Sequence, residues 1–271
     1  MKIPGKKLFC MALAAGWLAG GLPANATTVN FEITNLTPAG GLYFSPLWVA
    51  FHDGNFDTFN NGEAASTSIE AIAERGDSTG LRADFAAGAN MGAFDTVLTS
   101  PGGFPGAPIF DPGETVSAMF DLDAITSSFF SFAAMAVPSN DAFIANADAI
   151  SLFDAEGNFV GVELTIFSNQ IWDSGTEVND GFGAAFTTLG GEDTDENGFV
   201  HFHEGISSVV GTLNANGELI EDYLGDFSAG FEVARISITA VNEVAEPAML
   251  SLMGFAVLGM MGISRRRRQL A

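Results

Sequence analysis

The chain has 271 residues, with 33 acidic side chains against ten basic ones, a formal net charge of −23 and one cysteine. So negative a surface repels nucleic acid and anionic lipid, which excludes both as partners. The basic residues are also segregated. Only Arg75, Arg82 and Arg235 lie between Thr27 and Pro247, a stretch that holds all 33 acids and so carries a formal charge of −30.

In chain order, Lys2, Lys6 and Lys7 precede an apolar run from Leu8 to Leu22 and the small-x-small site Ala24-Asn25-Ala26. This is the pattern of a secretory signal peptide, residues 1–26. It takes Cys10 with it, so neither disulfide nor thiol chemistry is expected in the mature protein. Val29 to Ile33 alternates apolar and polar residues, as a half-buried strand does. Thr67 to Glu74 predicts a helix capped by Ser66 or Thr67. Further strands are predicted over 115–122, 129–137, 149–153, 161–167 and 231–241, the last with a slip between Val233 and Ile236 that suggests a bulge. Turn chemistry separates these runs at Pro101-Gly102-Gly103, Asp111-Pro112-Gly113, Glu156-Gly157-Asn158 and Asn214 to Gly217. The fold class expected for residues 27–242 is all-β: an antiparallel β-sandwich with one or two short helices. The chain closes with Glu246-Pro247-Ala248, an apolar stretch over 249–263 and four arginines, Arg265, Arg266, Arg267 and Arg268. At 15 residues that stretch is shorter than the roughly 20 of an ordinary membrane span.

Catalytic signatures are sparse. There are three histidines, His52, His201 and His203, and no nucleophile elbow, HExxH helix or phosphate-binding glycine loop. Ile171 to Thr176 contains Asp173-Ser174-Gly175-Thr176, similar to an aspartic-protease loop. That chemistry needs two aspartates sharing a proton, and no second D-[ST]-G is present. Residues 193–204 fit the calcium-loop pattern D-x-[DN]-x-[DN]-G-x5-E. Asp193, Asp195, Asn197 and Glu204 would offer side-chain oxygens and Phe199 its carbonyl, with Gly198 at the turn and Val200 as apolar anchor. The flanks, rich in glycine and serine, do not read as the paired helices of an EF-hand. The alternative is an acidic, solvated hairpin.

Phe130 to Leu152, which contains Pro138-Ser139-Asn140-Asp141, and Trp172-Asp173-Ser174-Gly175-Thr176-Glu177 together resemble the spondin N-terminal domain family. Ser45 to Leu81 is similar to that family's opening, with an aromatic strand, a short helix ending at Ala73-Glu74-Arg75-Gly76 and another strand. Phe231 to Ile236 is similar to its last strand. The resemblance implies a sandwich that binds one calcium ion through Asp141, Asp173 and Glu177. Glu177 stands where the family has aspartate, and Asn140 where it usually has proline. Residues 245–268 resemble a PEP-CTERM sorting signal, with Ala245 in place of the first proline. That implies transient insertion of the 249–263 helix in the inner membrane, arginines inside, and cutting near Pro247 by an exosortase. The expectation is a non-enzymatic protein of the cell surface or extracellular matrix, with polysaccharide or cell-surface components as partners. The alternatives are a structural secreted domain without functional metal, and a secreted hydrolase using Asp173.

Overall fold

The computed structural model describes residues 26–100 and 108–241. The segments expected to be a signal peptide and a sorting signal, and the Pro101-Gly102-Gly103 turn, lie outside the described residues. Strand β1 (Thr27–Asn35), the short β2 (Tyr43–Phe44) and β3 (Leu47–His52) lead into helices α1 (Thr67–Arg75) and α2 (Thr79–Gly88). Strands β4 (Phe94–Leu98), β5 (Thr115–Leu122), β6 (Phe129–Val137), β7 (Ala142–Ala145), β8 (Ile150–Ser151), β9 (Val162–Phe167), β10 (Trp172–Asp173), β11 (His201–Phe202) and β12 (Glu232–Ala240) follow. They form two antiparallel sheets. One has the order β5-β1-β12-β9, the other β11-β10-β7-β6-β3-β4, with β2 and β8 also paired to β6.

The alternation in β1 sends Val29, Phe31 and Ile33 inward, beside Ile236 and Ile238 of β12. They meet Leu47, Val49, Phe51, Phe130 and Phe132 from the facing sheet. Each side chain of this size contributes about 1.5–3 kcal/mol when fully buried. A bulge is present in β12, as a register shift between Glu232 and Ala234, at the start of the Val233–Ile236 interval where the slip suggested one.

The run FFSFAAMAV in β6 lacks alternation because both its faces are covered. Phe130, Phe132 and Ala134 face the other sheet, while Ala133 joins Trp48 and Ala50 under the helices. Helix α1 lays Ile69, Ile72 and Ala73 on that outer face, and α2 adds Leu81 and Phe85. Ser66 caps α1 by accepting the Ile69 N–H at 3.2 Å. The architecture is therefore a sandwich with a helical layer on one sheet.

Two expectations need correction. The segment after Gly76, anticipated as a strand reaching Leu81, forms α2, and the next strand, β4, begins at Phe94. Leu81 and Phe85 stand four apart, which on a helix gives one apolar face. The strand predicted over 149–153 shortens to β8, beyond which Phe153 makes an isolated bridge to Phe159.

Candidate metal centre

The centre is assembled by strand register. β10 pairs with β7 so that Asp173 lies opposite Ala142, which puts Asp141 and the exit of β10 at one end of the sheet. β11 pairs on the other side of β10, with His201 opposite Asp173. The turn after β10 then folds back over Asp141. Ser174 Oγ donates to Asp141 Oδ2 at 2.8 Å, and the N–H groups of Thr176 and Glu177 donate to the same oxygen at 2.9 and 3.2 Å. Gly175 makes this wrap possible. Its φ is +67°, and a β-carbon there would lie 2.6 Å from the backbone N and O of Phe199.

Asp141 is fully buried and Asp173 almost so. One carboxylate oxygen from each and a ring nitrogen of His203 lie within 4.8 Å of one another, all three residues being buried. Asp173 Oδ1 accepts from the Gly175 N–H at 2.7 Å, and Oδ2 from Asn179 Nδ2 at 2.6 Å. Asp141 Oδ1 has no hydrogen-bond partner. Among the described residues no arginine pairs with either aspartate, since Arg75, Arg82 and Arg235 sit on Glu74, Asp95 and Glu232.

Burial, and then the neighbouring Asp141 charge, push the Asp173 carboxyl up to about 6, against hydrogen bonds from Asn179 and Gly175. Burial holds the His203 imidazole down to about 4, so the ring is neutral at pH 7. The centre opens on a cleft of about 820 Å³, whose walls include Asp173, Asn179, Glu196, His201, His203 and Asp226.

The third residue implied by the resemblance stands apart. Glu177 gives Asp141 its backbone N–H, but its carboxyl turns toward Asn140, Glu74 and Asp193. Burial, the shared hydrogen bond with Asp193 and the nearby Glu74 charge push that carboxyl up to about 8. Residues 193–204, the calcium-loop match, pair with the turn after β10. Glu196 N–H and Gly198 N–H donate to the carbonyls of Thr176 and Gly175, and Asp195 bridges Glu177, so the segment runs as an antiparallel arm along the Asp173 turn. Asn197, not Gly198, takes the positive φ. Asp193, Asp195, Asn197, Phe199 and Glu204 are exposed, whereas Val200, as expected, is buried.

Sequence reasoning missed His203 and Asn179. The available signal was that two of the three histidines stand at i and i+2, beside a strand end.

The Spondin_N family matches the chain over residues 34–189, more than half its length. The chain belongs to the Spondin_N family. No curated protein matched the chain in a sequence comparison. The Spondin_N region includes Asp141, Asp173 and Glu177 but ends before His201 and His203, and before β12, which the resemblance had included. Membership in Spondin_N suggests a secreted or cell-surface protein.

Proposed function

We propose that this protein is a non-enzymatic binding or adhesion-type component of the cell surface or extracellular matrix, whose sandwich holds one calcium ion on Asp141 and Asp173. The observation that carries the reading is Asp141 Oδ1, a carboxylate oxygen sealed from water and without a partner. An unsatisfied buried acceptor costs about 1–3 kcal/mol, and more when charged. Two aspartates with no arginine between them call for a cation, and an oxygen donor set suits calcium. Asp141 and Asp173 would hold the ion, and the Ser174–Glu177 turn orients Asp141. Bound calcium would supply positive charge beside the cleft. Extracellular polysaccharide or cell-surface components are the partners this reading favours.

Isothermal titration of the purified protein with calcium tests it. The expected result is one saturable site, lost in Asp141→Ala and in Asp173→Ala. No heat at millimolar calcium would end the reading. The hydrolase alternative gains a second carboxylate beside Asp173, but Asp141 is wholly buried and out of reach of a substrate. Proteolysis abolished by Asp173→Asn would restore it.

For sorting, we propose exosortase processing of residues 245–268. Mass spectrometry of the exported chain is expected to find a new C-terminus near Pro247. An intact Arg268 in the exported protein would contradict this.

A further inference from the structure

By spacing alone, Asp141, Asp173 and His203 resemble a zinc set of two carboxylates and an imidazole. Hydrogen bonding argues otherwise. The backbone N–H of Gly205 donates to His203 Nδ1 at 3.0 Å. Nδ1 must therefore keep its lone pair, and the single proton of the ring resides on Nε2. That proton is donated to Asn179 Oδ1 at 3.0 Å, so Nε2, which stands 3.7 Å from Asp173 Oδ2, has no lone pair for a metal. The side chain is only 1% exposed, so the ring cannot swing to a new partner. On the far side of the amide, Asn179 Nδ2 donates to Asp173 Oδ2 at 2.6 Å.

We propose that His203 is a positioning residue and not a ligand. It acts through Asn179 to fix the Asp173 carboxylate, and so makes the centre selective for a hard, oxygen-seeking cation over zinc. The inference rests on the reading of Asp141 and Asp173 as a cation site. One further ring nitrogen stands nearby. His201 Nδ1 donates to the Phe199 carbonyl at 2.9 Å, and its Nε2, which offers a lone pair whenever the ring is neutral, stands 3.9 Å from Asp173 Oδ2. Its side chain is half exposed, and it stands outside the converging group of Asp141, Asp173 and His203. A zinc ion would find it the only nitrogen on offer among these residues, where zinc centres take three or four protein ligands. Ordinarily zinc outcompetes calcium at mixed nitrogen and oxygen sites, so a preference for calcium is a demanding outcome.

The test combines titration with nitrogen-15 spectra of the histidine rings, using calcium and zinc chlorides on the purified protein. The Nε2 proton of His203 is expected to persist at calcium saturation, and calcium to bind at least as tightly as zinc. Asn179→Ala is expected to weaken calcium by about 10–100-fold, the usual effect of losing a group that orients a ligand. His203→Gln, which retains an N–H donor to Asn179, should keep calcium affinity within about threefold, well short of that loss. Loss of the Nε2 proton on metal binding overturns the proposal, as does zinc binding that is much tighter than calcium and vanishes in His203→Gln. Absence of any binding, with unchanged ring spectra, removes the cation site itself and this inference with it. That outcome is distinct from binding through His203.

Discussion

At the scale of single residues, the chain separates two kinds of buried acid. Asp141 Oδ2 accepts from the hydroxyls of Ser174 and Thr176 and from two backbone N–H groups, leaving Oδ1 bare. Glu177, one turn away, faces other acids, and its carboxyl is pushed up to about 8. Its neutral form is therefore favoured in the folded chain. The stability this gives is complete below the unfolded value near 4.5 and is lost as pH rises through about 8. The metal-free protein should melt at lower temperature at pH 8.5 than at pH 6.5, and Glu177→Gln should flatten that slope. Calorimetry across this window checks it, and an unchanged slope in the variant would count against the assignment. His203 works in the opposite sense at lower pH. Its stabilising contribution is present above 6.5 and is lost as pH falls through about 4. The aspartates were legible in the sequence because Pro-Ser-Asn-Asp and Trp-Asp-Ser-Gly-Thr-Glu are contiguous motifs. The turn of the Glu177 carboxyl away from Asp141 was not, because it depends on how the loop after it folds Asp193 back beside it.

At the scale of elements, the Asp173 turn and the 193–199 arm depend on each other. Gly175 needs its positive φ, and the arm passes so close that no β-carbon fits. Gly175→Ala should cost about 1–2 kcal/mol in backbone conformation alone, with more from displacing Phe199, and should weaken calcium because Thr176 and Glu177 lose their aim at Asp141. Chemical denaturation and calcium titration of the variant measure the two effects. In the helical layer, Phe85 packs edge-on against Trp48 and Phe56, at centroid distances of 5.8 and 5.0 Å. Phe85→Ala should cost about 3–5 kcal/mol, as for other large core truncations. α1 could be read from its cap and its apolar spacing. α2 could not, because its first turn carries a glycine and no capping side chain bonds, so packing on β3 decides its form.

At the scale of the whole molecule, both sheets and the buried strand β6 follow from alternation, apolar runs and turn residues that the sequence displays openly. The arm over residues 193–199 is a case where local pattern and global fold conflict. Asp-Thr-Asp-Glu-Asn-Gly reads as a calcium loop, yet its backbone pairs with residues 175–178. The charge is a property of the whole surface. With 33 acids against three arginines between Thr27 and Pro247, self-repulsion opposes the compact state. Moderate salt should therefore raise the melting temperature of the calcium-free protein, and thermal unfolding from low to about 0.5 M sodium chloride would show it, since screening shortens the Debye length to a few Å over that range. A melting temperature that falls with salt would contradict that view of the surface.

The central claim is that one cation sits between Asp141 and Asp173. A crystal structure of calcium-soaked protein, with anomalous data, addresses this most directly. The expected result is a single strong peak within about 2.3–2.6 Å of Asp141 Oδ1 and of an Asp173 oxygen, with no carboxylate of the 193–204 arm among its ligands. A peak held instead by Asp193, Asp195 and Glu204, or none with both aspartates placed as described, would contradict it.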